Sequence, residues 1–419
     1  MCPYKSQLAL VPPPAQPLTS PLALPASPFV TAPDLHTPPS AGALRRAPGT
    51  PRILFACGGT GGHVYPAIAI ADAIRELVPG VAITFAGTQD RMEWEAVPKA
   101  GYSIHPITVS GFQRGFSLAA LIRNLSFPFK LAKGFWDAWA LIGNFDPDVV
   151  VGTGGYVSGP VGLAASVRKV PVVLQEQNAY AGATNKLLAP RAALVFVAFE
   201  AAQSHFPGQT QVAGNPVRQD LADASASEAR EHWDIPQDAR VLLAMGGSLG
   251  AGPINGALKL NLETLLADET TFVIWAAGKR YYETLREAVP THPRLRLVPY
   301  LDRMDLAYAA ADLALCRAGA ITCSELAVTG TPSVLVPSPN VTADHQTKNA
   351  RALADAGAAV LLPEADLDAR FGDAVTALLR QPDSLASMRE AALAIARPDA
   401  AESIAQAVLG LADDARNAP

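Results

Sequence analysis

Arg52-Ile53-Leu54-Phe55-Ala56-Cys57-Gly58-Gly59-Thr60-Gly61-Gly62-His63, followed by Pro66-Ala67-Ile68-Ala69-Ile70-Ala71-Asp72-Ala73-Ile74, decides the fold. The first five residues form a short, continuous apolar run, which fits a strand buried on both faces of a parallel sheet. Glycines then turn the chain, and a helical pattern opens. Further units follow it: strands are expected at Val81–Ala86, at Pro147–Gly152 running into Thr153-Gly154-Gly155-Tyr156, and at Val170–Leu174 ending at Gln175-Glu176-Gln177-Asn178. The pattern restarts at Arg240–Met245, again ending in glycines, Gly246-Gly247-Ser248-Leu249-Gly250. Strands at Thr271–Trp275, Leu295–Val298, Asp312–Leu315 and Pro332–Val336 complete a second set. The chain therefore reads as α/β with two similar halves joined near Gly214-Asn215-Pro216-Val217-Arg218. Open parallel sheets bind ligands at the carboxyl ends of their strands. Two of them facing each other make a cleft with glycine loops on both walls, which suits a two-substrate enzyme.

The bulk numbers agree with this. The 419 residues are 49% hydrophobic and 17% charged, enough apolar material for sizeable cores and not a disordered composition. A net charge of −5 gives no sign of nucleic-acid binding. The four cysteines, Cys2, Cys57, Cys316 and Cys323, form no CxxC pair and read as free thiols. No apolar run approaches the roughly 18 residues of a membrane span. Residues 1–50 hold 12 of the 36 prolines and one acid, Asp34, and lack an unbroken apolar core, so they read as a Pro/Ala-rich disordered tail.

Each candidate site has a bland alternative. Gly58 to Gly62, directly after a strand and before a helix N-terminus, suit a diphosphate cradle; the same glycines serve equally as a packing turn. No acid ends the next strand (Thr84-Phe85-Ala86-Gly87), which disfavours a dinucleotide dehydrogenase. His63, at the loop–helix junction, is a candidate general base because imidazole titrates near neutral pH; otherwise it is a helix-start histidine. Gly154-Gly155-Tyr156 offers a second anion loop or a tight turn. Glu176-Gln177-Asn178 at a strand end suit sugar hydroxyls or loop capping. In the second half, Ser248 offers a hydroxyl to phosphates. Glu325 in Arg317-Ala318-Gly319-Ala320-Ile321-Thr322-Cys323-Ser324-Glu325 suits a ribose diol or simply complements the helix dipole. Asp344 and Gln346 suit sugar hydroxyls, with helix capping the alternative for Asp344. Asp366-Leu367-Asp368 reads as a cap, and no metal-ligand cluster is evident.

Residues 111–139 differ in character. Phe112, Phe116, Phe129 and Trp136 are interleaved with Arg114, Arg123, Lys130 and Lys133, and Asp137 is the only acid. A greasy face rimmed by cations suits docking on an anionic membrane surface; a buried helix with snorkelling basic residues is the alternative.

In this order, GGTGGH (58–63), GGYVSGP (154–160), EQN (176–178), GNPVR (214–218), GGSLGA (246–251), RAGAITCSE (317–325) and DHQTKNA (344–350) resemble the MurG family, the peptidoglycan N-acetylglucosaminyltransferases. The resemblance spans roughly residues 52–412. It implies two Rossmann-like domains facing a deep cleft, the GT-B fold. These would be an acceptor-binding, membrane-associating domain at 51–215, a UDP-GlcNAc-binding domain at 216–397, and a last helix within 398–419 crossing back. It also implies inverting transfer of N-acetylglucosamine from UDP-GlcNAc to the C4 hydroxyl of N-acetylmuramyl-(pentapeptide)-pyrophosphoryl-undecaprenol. The expected location is the cytoplasmic face of the bacterial cell membrane, peripherally, beside other wall-synthesis proteins. UDP-GlcNAc is then a substrate, no cofactor is implied, and a divalent cation is not indicated. By the same resemblance His63 is the base, and the acceptor meets Gly58, Gly59, Gly154, Gly155, Tyr156 and Glu176. The donor meets Thr60, Gly61, Gly62, Asn178, Arg218, Ser248, Glu325, Gln346 and the backbone of Leu301. One departure is Leu249, where some members carry a glutamine after the serine.

Overall fold

A computed structural model of the chain describes residues 49–109, 127–208, 210–247 and 249–417. The first half is a seven-stranded parallel sheet of β1 (Arg52–Ala56), β2 (Ala82–Gly87), β3 (Ser103–Pro106), β4 (Val149–Gly152), β5 (Val172–Glu176), β6 (Leu194–Val197) and β7 (Thr210–Val212), in the order β3-β2-β1-β4-β5-β6-β7. The second half is a six-stranded parallel sheet of β8 (Arg240–Met245), β9 (Thr271–Ala276), β10 (Leu295–Val298), β11 (Leu313–Cys316), β12 (Ser333–Leu335) and β13 (Ala359–Leu361), in the order β10-β9-β8-β11-β12-β13. The two orders are equivalent around their centres. β1 pairs with β2 on one side and β4 on the other; β8 pairs with β9 and β11 in the same way. Each sheet thus reverses its winding beside its first strand, and the crevice at that point receives the loops after β1 and β4, or after β8 and β11.

Alternation along the central strands explains why both faces are covered. Ile53 and Phe55 point into one core and Leu54 and Ala56 into the other. In the second sheet Val241, Leu243 and Met245 face one core, Leu242 and Ala244 the opposite one. A strand buried on both sides needs no polar positions, hence the uninterrupted apolar runs. The 18-residue helix Ala400–Asn417 follows the second half but packs on the first. Its Ala401, Ile404, Ala405, Val408 and Ala412, which recur on one face of the helix, share a core with Ile70 and Ile74 of helix Gly61–Leu77. Near this crossing Gly214 has φ +89°, and a Cβ there would lie 2.4 Å from Cβ of Arg397, so only glycine admits the returning chain.

The edge strands β3, β7 and β13 are not anticipated by the sequence reading. Their residues are mostly half-exposed; β3 and β7 carry no continuous apolar run, β13 lies within a short run at 358–362 that the sequence reading omits, and pairing with a neighbour defines all three. β6, the short buried run LVFV, also lies beyond the strands read from the sequence. Cys57, Cys316 and Cys323 are free and buried. Among the described residues no helix is long and apolar enough to cross a membrane. The Pro/Ala-rich segment lies almost wholly outside the described residues.

Candidate active site

On the first wall, the loops after β1 and β4 are packed together through glycine. Gly155 has φ +79°, and a Cβ on it would meet the Gly58 carbonyl oxygen at 2.3 Å. A Cβ on Gly154 would meet Nδ1 of His63 at 2.9 Å, so the imidazole lies flat against this glycine turn. Beneath the first loop sits the fully buried carboxylate of Glu93. It accepts the Gly59 N–H (3.1 Å), the Thr88 N–H (3.2 Å) and the Thr88 hydroxyl (2.6 Å). One loop N–H is thereby committed internally. Those of Gly61 and Gly62 open helix Gly61–Leu77 and have no intrahelical acceptor. Burial first, and then the Glu93 charge, push the Cys57 thiol far above its ordinary range, so this cysteine is not a nucleophile.

His63 is half-buried and tightly held. Its carbonyl accepts the Thr153 hydroxyl at 2.7 Å, and its Nδ1 lies 2.9 Å from Oε1 of Gln177. Nε2 has no partner among the described residues. The Gln177 amide nitrogen donates to the Thr153 carbonyl (2.6 Å) and the Gln175 carbonyl (3.1 Å).

Two buried asparagines join the halves. Asn215, in the linker, accepts from Nε2 of Gln175 (3.0 Å), and its own amide nitrogen faces the Gln177 carbonyl (3.0 Å), the Ala320 carbonyl (3.3 Å) and the Ser324 hydroxyl (3.0 Å). Asn349, on helix His345–Asp355, accepts the Ala179 N–H (2.9 Å) and donates to Oδ1 of Asn178 (3.3 Å) and to the Ala318 carbonyl (3.2 Å). Asn178 thus touches the second half directly. Glu176 does not open into the cleft as expected. It is 1% exposed, and its carboxylate is consumed by the N–H groups of Asn178 (3.0 Å) and Gly182 (2.9 Å) and the amides of Asn178 (3.3 Å) and Asn185 (2.9 Å). It clamps the loop that carries Gln177 and Asn178.

On the second wall the loop Gly246–Gly250 turns against a neighbouring glycine. Gly250 (φ +79°) and Gly278 (φ +87°) are so close that a Cβ on Gly278 would lie 2.3 Å from Gly250. Helix Ala320–Val328 begins after β11 and carries Glu325. Burial pushes the Glu325 carboxyl up to about 7, while the Tyr308 hydroxyl, donating at 2.9 Å, and the Arg218 guanidinium pull it back. Arg218 is paired with Asp220 at 2.5 Å. Leu301 is buried, and neither its N–H nor its C=O has a partner among the described residues, leaving a peptide edge free to read a flat ligand. Gln346 accepts the Ser338 N–H at 2.8 Å and keeps its amide nitrogen. Tyr65 of the first half, 55% exposed, lies within electrostatic reach of Tyr300 of the second. At the rim the Tyr180 ring lies between Lys186 (3.9 Å) and Lys348 (3.5 Å), one cation from each half.

His63, Thr60 to Gly62, Gly154 to Tyr156 and Asn178 therefore line the first wall, and Arg218, Leu301, Glu325 and Gln346 belong to the second. Ser248 lies outside the described residues, as do Phe112, Arg114, Phe116 and Arg123. Helix Phe127–Phe145 presents Phe129 (79% exposed) and Trp136 (64%) to solvent, near half-exposed Lys130. Among the described residues no three His, Cys, Asp or Glu side chains cluster as metal ligands. Asp366 and Asp368 are exposed around the start of helix Leu367–Phe371. Sequence reasoning gave no role to Glu93, Asn215 or Asn349, and read Gln177 with its two neighbours as suiting sugar hydroxyls or loop capping. The last three sit inside the quoted motifs, whereas nothing in the spacing around Glu93 points to the loop it supports.

Residues 53–197 match the Glycosyltransferase family 28 N-terminal domain, and residues 241–404 match the Glycosyltransferase family 28 C-terminal domain. The UDP-N-acetylglucosamine--N-acetylmuramyl-(pentapeptide) pyrophosphoryl-undecaprenol N-acetylglucosamine transferase of Salinibacter ruber is 58% identical over 364 residues, 87% of this chain and 97% of that one. The protein of the same name from Bacteroides thetaiotaomicron is 42% identical over 368 residues, 86% and 98% of the two chains. The crystal structure of Acinetobacter baumannii MurG matches with a TM-score of 0.71 at 31% identity, covering 86% of this chain and 99% of that one. With both halves matched in order, the chain belongs to the MurG family of the family 28 glycosyltransferases.

Proposed function

We infer that this chain transfers N-acetylglucosamine from UDP-GlcNAc to the C4 hydroxyl of N-acetylmuramyl-(pentapeptide)-pyrophosphoryl-undecaprenol, in peptidoglycan synthesis. The observation that carries the reading is the pairing of two walls across one joint. His63, whose Nε2 has no partner among the described residues, stands on one wall, and Glu325 stands on the other, joined through Gln177, Asn215 and Ser324. A base on one half and a diol-binding carboxylate on the other are what sugar transfer from a nucleotide requires.

In this mechanism the acceptor oxygen attacks the anomeric carbon and the bond from that carbon to the diphosphate oxygen breaks. The hydroxyl proton passes to Nε2 of His63, and UDP leaves with the bonding pair. Direct displacement inverts the centre and yields a β-linkage. Peptide N–H groups at the starts of helices Gly252–Leu266 and Ala320–Val328, with the Ser248 hydroxyl, stabilise the charge that grows on UDP. Glu325 accepts the ribose hydroxyls, the Leu301 peptide reads the uracil edge, and Gln346 holds the sugar. Thr60, Gly61 and Gly62 face the donor. Gly58 and Gly59, the turn Gly154–Tyr156 and the Lys186–Tyr180–Lys348 rim receive the acceptor pyrophosphate side. The exposed Phe129 and Trp136 beside Lys130 support docking on the anionic cytoplasmic surface of the cell membrane. The test is transfer of radiolabelled GlcNAc from UDP-GlcNAc to a short-chain lipid-linked N-acetylmuramyl pentapeptide. A labelled β-linked disaccharide is expected; no transfer by folded protein that binds UDP-GlcNAc overturns the reading.

A further inference from the structure

We propose that Gln177 is a positioning residue that fixes the tautomer of His63, and that its own orientation is dictated by a chain of buried amides running to the joint between the halves. The inference rests on His63 being the base. The chain has one consistent direction. The Ser324 hydroxyl donates to the Ala320 carbonyl at 3.2 Å, so towards Asn215 it is an acceptor. The Asn215 group facing that hydroxyl and the Gln177 and Ala320 carbonyls must therefore be the NH2, and Oδ1 must face Gln175. Gln175 then gives its NH2 to Asn215 (3.0 Å) and turns its oxygen to the NH2 of Gln177. That NH2 is independently required by the carbonyls of Thr153 and Gln175. The only atom left for Nδ1 of His63, 2.9 Å away, is the carbonyl oxygen Oε1 of Gln177.

An acceptor oxygen at that distance demands a proton on Nδ1. The neutral imidazole must then carry its lone pair on Nε2, the nitrogen without a partner among the described residues, and the one a general base needs. The opposite tautomer would set lone pair against lone pair. Relieving that by turning Gln177 would press its oxygen onto two carbonyls, and the mismatch would pass on to Gln175 and Asn215. Gln175, Gln177 and Asn215 are each at most 1% exposed, so water cannot absorb it. A neutral amide also differs from a carboxylate partner. It orients the ring without adding a charge that would hold the proton after transfer.

The test uses full-length, 15N-labelled protein and long-range 1H–15N correlation of the histidine rings at alkaline pH, with His63 assigned by its loss in His63→Ala. A protonated, pyrrole-type Nδ1 and an unprotonated, pyridine-type Nε2 are expected in the wild type. In Gln177→Leu the tautomers should mix and kcat fall about tenfold or more, with the KM for UDP-GlcNAc changed less than about twofold. In Gln177→Glu the Nδ1–H acceptor is kept, and the acid limb of the kcat–pH profile should move to higher pH because a carboxylate favours imidazolium. A wild-type ring protonated on Nε2, or a Gln177→Leu protein with unchanged tautomer and kcat, overturns the proposal. If His63→Ala transfers sugar at the wild-type rate, the base reading fails, and the wild-type tautomer still decides whether Gln177 orients the ring.

Discussion

At the carboxyl end of β1 the loop Gly58–Gly62 rests on a buried carboxylate, whereas at the end of β8 the loop Gly246–Gly250 rests on another glycine. The local sequences are nearly interchangeable: an apolar strand, two glycines, then small residues into a helix. Their surroundings differ in charge. Glu93 takes the Gly59 N–H and leaves a negative group under the first loop, beside the His63 turn. Among the described residues no carboxylate bonds the second loop, and Gly250 and Gly278 close the backbone on itself. In the first loop Glu93 answers the Gly59 N–H and in the second the Gly247 carbonyl answers that of Gly250, while the Gly61 and Gly62 N–H groups stay at a helix start, where an anion is attracted. The same motif is thus held by a distant carboxylate on one wall and by a second glycine turn on the other, and the difference lies in residues far away in sequence.

The largest test of this contrast is His63→Ala. Turnover should fall by about two to four orders of magnitude, while UDP-GlcNAc affinity measured by calorimetry stays within about twofold. A parallel loss of affinity would show that the His63 imidazole itself also grips the donor. The reverse pattern is expected for Glu325→Ala, which should weaken UDP-GlcNAc about tenfold to a hundredfold; unaltered affinity would remove the ribose assignment. Next, Glu93→Ala empties the space of a fully buried side chain, takes the acceptor from the Gly59 and Thr88 donors, and should cost about 1–3 kcal/mol of stability, read as a lower Tm. Were the two loops equivalent, it would instead tighten anion binding at the first one and leave Tm unchanged.

The smallest effect is in pH. The Glu325 carboxyl is raised from 4.5 to about 7 by burial, so its protonated form is the one the fold favours. The stability it contributes is complete below about 4.5 and lost as pH rises through about 7. Glu325→Gln should therefore gain Tm relative to the wild type across that window and match it in acid. Donor affinity should move oppositely in the wild type, improving several-fold from about pH 6 to about pH 8 as the carboxylate becomes able to accept two hydroxyls, and stay flat in Glu325→Gln. A wild-type affinity independent of pH would place the ribose elsewhere.

Much of the fold is legible in the chain. The central strands β1, β4, β5, β8 and β11 show as apolar runs because both their faces are buried, and the glycines after β1, β4 and β8 mark the crevice. The half-exposed edge strands β3 and β7 leave no such mark, whereas the edge strand β10 is legible from Leu295-Arg296-Leu297-Val298. Among site residues, His63 is visible just after a strand-end glycine loop, and Glu325 as the acid that closes the run of small residues after β11. Glu176 stands at a strand end too and reads the same way, yet four donors draw it inward. Position along a strand says where a side chain begins, not which groups meet it.

By itself the sequence determined two parallel α/β halves, the glycine turns that open each, and a histidine at a helix start and a glutamate in a helix on opposite sides of one joint. Periodicity and φ restrictions act within a few residues, and the chain displays them directly. Only the tertiary structure decided that Glu93 supports the first loop, that Glu176 turns inward, and that amides orient His63. His63 and Gln177 are 114 residues apart, Asn215 and Ser324 are 109, and Asn349 and Asn178 are 171. The direction of a buried amide is set by the donors and acceptors around it, and those are brought together only when both sheets have formed and closed on each other.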